Sequence, residues 1–440
     1  MRRRITALLL ILVLAGGTLT GCKSLQKEEE SQPMNSKARI KDEQGRMELE
    51  ELDQTYMDGL KEFSYRVFHA MEDGENIFLS PYSIATALSM LYNGADQDTR
   101  REMARLLGFD QLEGYTPAYK EAANHYMNAN HRLLKEQLQA ADPKVKIDSA
   151  NSIWLAKGKE FSNQIETALL APARYDYEGD IFEVDFTIAE TLDTLNQWVS
   201  DKTMGMIDPF MERFADSENI RVFLANAVYF NGTWKLPFEP RDTREAAFYG
   251  EEKISQVDMM KLYHEKFRFY SEGGIQGIEL PYGNGRIVMD ILIPEDKEQS
   301  IWELYQGLSV NELEDFFEKL DKANKIEIDH LGLPRFEMEY GLVDIKDALE
   351  RMGMNKAFQP EGADFELIGE RLYVSSVAHK AKIRVEEWGT EASAATGIEV
   401  DKTADIMKPQ IKFIVDVPFL FFIRDTATGT LLFLGSVKQL

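Results

Sequence analysis

The sequence predicts an α+β fold with mostly antiparallel sheets. Three observations lead there. Apolar residues recur at helical spacing through the first half of the chain. Strand-like runs bounded by turn residues dominate from about residue 221 onward. The two kinds of segment do not alternate as a parallel sheet with crossover helices would require. With 440 residues, 44% of them hydrophobic, the chain can bury a large core.

The chain opens with a targeting segment. Arg2, Arg3 and Arg4 precede an apolar run from Ile5 to Ala15, which is too short to span a bilayer. Leu19-Thr20-Gly21-Cys22 then looks like a lipobox, in which the cysteine is lipidated and the chain is cut before it. The alternative is an ordinary secretory cleavage site with an incidental cysteine. The lipobox reading divides the chain into a signal peptide (1–21), a lipidated Cys22 with a tether (22–51) and a folded domain (52–440). Loss of three arginines would take the formal charge from −25 to −28 (−25 − 3). Lys23–Glu51 is polar and cannot bury a core; as flexible chain its 29 residues would reach roughly 30 Å from a membrane. The expected location is the cell envelope, facing away from the cytoplasm. The single cysteine excludes an intrachain disulfide.

Within the folded part, Tyr56, Leu60, Phe63, Val67, Phe68 and Met71 mark a first amphipathic helix. Ser80-Pro81 reads as an N-cap with proline at the first helical position, starting a helix that Gly94 ends. Helices are expected over Tyr115–Leu138, Gln164–Ala173 and Ala189–Lys202, and strands over Lys146–Leu155 and Ile181–Phe186. Arg221–Phe230 is a strand, with Asn231-Gly232 after it as a turn signal. Strands follow at Lys266–Tyr270, Gly277–Pro281, Arg286–Pro294, Lys325–His330 and Phe336–Tyr340. Helices return at Glu303–Leu308, Val310–Lys319 and Leu342–Met352, and the end is strand-rich again at Leu372–Glu386, Lys412–Arg424 and Thr430–Val437. Gly283-Asn284-Gly285 is a hairpin turn. Gly389–Gln410 separates two strong strands without a large apolar cluster, which is long for a plain connection and marks a functional loop.

Composition removes several function classes. A net charge of −25 gives no electrostatic footprint for nucleic acid, and an anionic membrane surface would repel it. The sequence has no Gly-x-Ser-x-Gly elbow, no His-Glu-x-x-His and no phosphate-binding glycine loop, so an enzyme is not expected. Its six histidines lack metal-ligand spacing, and neither metal nor cofactor is expected.

The chain resembles the serpin family from about Leu52 to its end. The resemblance rests on ordered blocks: Asn76-Ile77-Phe78-Leu79-Ser80-Pro81-Tyr82-Ser83-Ile84, Asn196–Thr203, Asn226–Trp234 with Pro237-Phe238 and Thr243, Leu333-Pro334-Arg335-Phe336, His379-Lys380-Ala381, Gly389–Thr396 and Val417–Phe421. It implies three mostly antiparallel sheets, eight to nine helices and an exposed reactive-site loop at about 387–410. It further implies suicide-substrate inhibition of serine or cysteine endopeptidases. The protease cuts the loop, the loop enters the central sheet as a strand, and the protease stays covalently attached. The other class within the family is a non-inhibitory binding or chaperone protein. The chain is expected to be a monomer, with a target protease and a membrane, through the Cys22 lipid, as its partners.

The loop itself supports insertion. A segment that joins a sheet buried on one face must alternate. Thr390, Ala392, Ala394, Thr396, Ile398 and Val400 are small or β-branched and uncharged, whereas Glu391, Ser393, Ala395, Gly397, Glu399 and Asp401 carry the charges. By family resemblance the hinge comprises Glu387, Gly389, Thr390, Glu391, Ala392, Ser393, Ala394, Ala395 and Thr396. Non-inhibitory members tend to carry bulky, charged or proline residues at inward hinge positions, and Thr390, Ala392, Ala394 and Thr396 are none of these. Family spacing from Glu387 puts the reactive bond at Thr403–Ala404, with Lys402–Thr403 as the rival. Trp388 departs from the polar residue many inhibitors carry there. Ser80, Ser83, Asn226 and His379 correspond to the shutter of the large sheet, and Trp234 to the breach at its top.

Overall fold

The structure is a computed structural model that describes residues 39–40, 47–71, 74–110, 117–390 and 411–440. Cys22, the signal segment and most of the 22–51 stretch therefore lie outside the described residues. A short pair, β1 (Arg39–Ile40) with β2 (Met47–Glu48), precedes the folded core, and the Met47 carbonyl accepts from Arg132.

Helix α1 (Gln54–Ala70) begins at Asp53, whose side chain accepts from the Thr55 N–H. Strand β3 (Ile77–Leu79) leads into α2 (Pro81–Tyr92), and Ser80 caps that helix by accepting from the Ser83 N–H. Helices α3 (Gln97–Leu106) and α4 (Pro117–Gln139) follow, then strands β4 (Val145–Ala156) and β5 (Asp180–Val184) and helix α5 (Ala189–Lys202). Next come β6 (Val222–Thr233), β7 (Arg244–Tyr249), β8 (Ile254–Leu262), β9 (Glu265–Glu272), β10 (Ile275–Pro281) and β11 (Ile287–Pro294). Helices α6 (Ile301–Gln306) and α7 (Val310–Lys322) precede β12 (Lys325–Ile328), β13 (His330–Pro334) and β14 (Phe336–Asp344). Helix α8 (Lys346–Arg351) leads to β15 (Val374–Glu386) and β16 (Gly389–Thr390); the chain ends with β17 (Lys412–Ile414), β18 (Phe419–Asp425) and β19 (Leu431–Val437).

Three large sheets result, as expected, along with eight α-helices among the described residues. One sheet runs β12-β9-β10-β11-β18-β19-β3, a second β17-β13-β8-β7, and the central one β14-β15-β16-β6-β4-β5. Helix α2 is buried along its whole length because it lies between sheets, touching β4 and β6 on one side and β19 on the other. A separate cluster, built from Trp154, Leu195, Val199 and Phe223, seats α5 on the central sheet. In β18, buried Arg424 donates to Asp290 and, at 2.7 and 2.9 Å, to Asp321.

Three local expectations are corrected and one is refined. Asn231-Gly232 is not a turn: β6 runs on to Thr233. Gln164–Ala173 is helical as expected, within a continuous helical stretch over 165–177 that contains two π-helical turns, Glu166–Leu170 and Ala173–Tyr177. Leu342–Asp344 extends β14, and the helix starts only at Lys346. Lys412–Arg424 is two strands, because Pro418 has no N–H for a ladder. The Gly283-Asn284-Gly285 turn joins β10 to β11, with positive φ at both glycines.

Candidate functional site

The site lies along the seam between β15 and β6. Over most of its length the seam is a parallel ladder from Val374↔Val222 to Lys382↔Tyr229. At the top the two strands part, and β16 stands between them. Val385 pairs with Thr390 and Glu386 with Gly389 on one side; Thr233 pairs with Gly389 and Gly232 with Thr390 on the other. The first two residues of the predicted hinge strand are thus already in the central sheet, antiparallel to both neighbours.

Local chemistry explains why these residues fit. Gly389 has φ +150°, and an added Cβ would fall 2.1 Å from the Gly232 carbonyl oxygen, so a side chain there meets backbone. Thr390 is fully buried, and its hydroxyl shares a 2.7 Å hydrogen bond with the Tyr282 hydroxyl. Tyr282 stacks on Trp234 at 4.2 Å. Trp234 donates from its indole to the Glu386 carbonyl and from its backbone to the Trp388 carbonyl, each at 3.0 Å. Trp234 therefore clamps the turn that feeds the hinge. Glu387 is buried and accepts from Arg335 and, at 2.7 Å, from the Thr243 hydroxyl. Burial alone would raise its carboxyl, but the Arg335 and Thr243 hydrogen bonds outweigh that and hold it below the usual carboxylate range.

Midway down the seam, Ser80, Ser83, Asn226 and His379 come together as one buried network. His379 is directly opposite Asn226 in the parallel ladder. Its Nδ1 donates to Asn226 Oδ1, and its Nε2 accepts the Ser80 N–H at 3.4 Å, which fixes a neutral tautomer. Asn226 Nδ2 donates to the Ser83 carbonyl and hydroxyl and to Asn151 Oδ1. Ser80 donates to the Leu432 carbonyl at 2.6 Å, tying the seam to β19 of the neighbouring sheet. Complete burial pushes the His379 imidazole down to about 3, so it stays uncharged near neutrality.

Sequence reasoning missed part of this site. Asn151 and Ser149, on β4, extend the network, with Ser83 bonded to Ser149 and the Asn151 amide donating to Ser149 at 2.9 Å. Tyr282, Arg335 and Thr243 hold the hinge from elements distant in sequence. The Leu333-Pro334-Arg335-Phe336 block carried Arg335, and the block from Asn226 to Thr243 carried Thr243; nothing in the sequence pointed to Tyr282. Glu391, Ala392, Ser393, Ala394, Ala395 and Thr396, the alternating positions beyond them, and Lys402, Thr403 and Ala404 lie outside the described residues.

The chain that continues into 391–410 thus enters the central sheet at its top, above a seam zipped along its lower length. The family model described as Serpin (serine protease inhibitor) matches residues 58–440, and the chain belongs to that family. It is 30% identical to a serpin-like protein of Thermococcus kodakarensis, over 100% of this chain and 99% of that one. It is 32% identical to leukocyte elastase inhibitor A of Rattus norvegicus, covering 85% of this chain and 97% of the relative. Among solved structures, the thermophilic serpin tengpin in its native state superposes with a TM-score of 0.76 at 29% identity, covering 89% of this chain and 96% of tengpin.

Proposed function

We propose that this chain is a suicide-substrate inhibitor of serine, or in some cases cysteine, endopeptidases, held to a membrane by lipid on Cys22. It uses no catalytic group of its own. The target protease cleaves at Thr403–Ala404, with Lys402–Thr403 as the alternative bond. Its nucleophile displaces the new amino terminus and keeps the acyl group of the residue before the cut. Insertion of the loop as a full strand then distorts the attached protease. Serpin loop insertion is an established case of strand addition to a sheet.

One observation carries this reading: Gly389 and Thr390 occupy the gap between β15 and β6, already paired with both. The strand that insertion would build has its first two residues in place, with the small, uncharged residues beyond them in sequence. Relatives named as inhibitors, such as leukocyte elastase inhibitor A, support the same class. Anchoring draws support from the Leu19–Cys22 motif and the arginine-led apolar run before it.

The test incubates the soluble chain with a panel of serine and cysteine proteases. Mass spectrometry of the released C-terminal peptide identifies the bond, and denaturing gels reveal covalent complex. Release of a peptide starting at Ala404, together with a detergent-stable complex, is the expected result. Turnover by every protease without any stable complex refutes inhibition. Metabolic labelling with palmitate in a bacterial host, lost on Cys22→Ser, tests the anchor.

A further inference from the structure

The six histidines show no metal-ligand spacing along the sequence, yet the fold gathers one of them with two carboxylates. His264 sits in the turn between β8 and β9 at φ +55°, with its N–H donating to the Asp329 carbonyl at 3.4 Å. Glu327 is on β12, paired with Lys266 of β9, and Asp329 follows between β12 and β13. His264 Nδ1 is 3.3 Å from Glu327 Oε1 and 3.6 Å from Asp329 Oδ1. All three ligand atoms lie within 4.8 Å of one another.

Those separations carry information. A tetrahedral zinc ion bound at about 2.0–2.2 Å holds its ligand atoms roughly 3.3–3.6 Å apart. One imidazole with two carboxylates suits zinc better than calcium or magnesium, which take oxygen ligands. The side chains of His264 and Glu327 are about half exposed, which leaves room for water as the fourth ligand. A plain imidazole–carboxylate ion pair is the competing account, and only the metal account predicts stoichiometric uptake.

Asp329 gives the site a consequence. Its Oδ2 accepts the Ile411 N–H at 2.6 Å, and its own N–H donates to the Ile411 carbonyl at 2.9 Å. Ile411 is where the described chain resumes after 391–410. We infer that His264, Glu327 and Asp329 form a zinc site that braces the far anchor of the 391–410 segment, the metal on Oδ1 fixing the carboxylate whose other oxygen holds Ile411. Zinc binding itself does not depend on the inhibitor reading; only the meaning of a braced anchor does.

The experiment uses the full soluble chain, stripped of metal and dialysed against zinc chloride, with bound metal quantified. One zinc per chain is expected. His264→Asn, which tolerates the left-handed backbone, and Glu327→Gln should each weaken binding at least tenfold, while His69→Ala, at a distant exposed histidine, should change nothing. Far-ultraviolet circular dichroism without metal should match for all variants. Unchanged zinc binding by His264→Asn overturns the site, as does equally tight uptake of calcium or magnesium. Hydrogen exchange of the Ile411 amide should slow severalfold with zinc in the wild type and not in His264→Asn; zinc uptake without that change overturns the brace. Failure of protease trapping would leave both readouts untouched, so the two readings fail separately.

Discussion

Replacing Thr390 by arginine puts the insertion mechanism at risk most directly. The native side chain is fully buried, flanked by Val385 and Gly232, and its hydroxyl bonds to the Tyr282 hydroxyl. An arginine there would place a charge under the sheet with one phenol to satisfy it, and an uncompensated buried charge costs about 3–5 kcal/mol. The two residues of β16 hold few ladder hydrogen bonds, worth about 0.5–1.5 kcal/mol each, so the penalty matches or exceeds what keeps the hinge in place. The hinge should leave the sheet in the intact protein. After cleavage the same charge opposes re-entry. If about 3 kcal/mol of it falls on the insertion barrier, insertion slows roughly a hundredfold. Deacylation then overtakes trapping, and the variant becomes a substrate. The assay is the stoichiometry of inhibition against whichever protease the wild type traps, read beside the yield of detergent-stable complex. A rise from near one to well above ten inhibitors per protease is expected, whereas Thr390→Val should stay near the wild-type value. If Thr390→Arg formed complex as fast and as completely as wild type, the insertion account would be wrong.

Other outcomes follow from the same geometry. Gly389→Ala should expel β16, because the new Cβ meets the Gly232 carbonyl; a changed Trp234 and Trp388 emission spectrum and faster exchange of the Thr390 amide would report it. Arg424→Ala should cost about 3–5 kcal/mol in urea unfolding by stranding buried Asp290, and an effect below about 1 kcal/mol would contradict the network described. His379 and His131 are both pushed by burial down to about 3, against an ordinary value near 6.5. The unfolded imidazoles take up protons below about pH 6.5 while the folded ones do not, so their contribution is complete above that pH and is lost as pH falls toward 3. The slope grows as pH falls through 6.5 and reaches about 1.4 kcal/mol per pH unit for each below about pH 5.5, and His379→Gln should flatten the urea-midpoint profile over that range. Loop-cleaved protein should melt far above the intact form; equal melting temperatures would deny the stored free energy that trapping requires.

Much of the layout was legible because local signals were strong. The Ser80-Pro81 cap, the helical spacing from Tyr56 to Met71 and the long β-rich run from Arg221 each agree with what tertiary packing imposes. Asn231-Gly232 misled because the dipeptide that favours a tight turn serves a different need here. A Cβ on Gly232 would sit 2.9 Å from both Phe230 and Tyr282, so glycine makes room inside a continuing strand. Helix α3 escaped notice because its buried face includes Arg100, stacked 4.1 Å from the Tyr92 ring, in place of another apolar residue. Strands β7 and β8 were passed over as individual runs, their partly exposed alternation giving a weaker signal than the buried strands that follow. At the site, the polar residues of the seam and Thr243 came through the family's sequence blocks. Tyr282 did not, since a hydrogen bond across 108 residues leaves no periodicity to read.

The parallel pairing of β15 with β6 has a further consequence. A strand that enters between two parallel neighbours in the antiparallel sense, as β16 does, turns one ladder into two. Each step of such a wedge breaks the slanted contacts of one parallel pair and makes antiparallel contacts on both sides. Starting from the fork above Lys382↔Tyr229, the fourth pair to part is His379↔Asn226, which carries a buried imidazole–amide hydrogen bond across the seam. Advance of the wedge therefore meets the buried imidazole–amide bond at that pair, and breaking it is part of what opening the sheet costs.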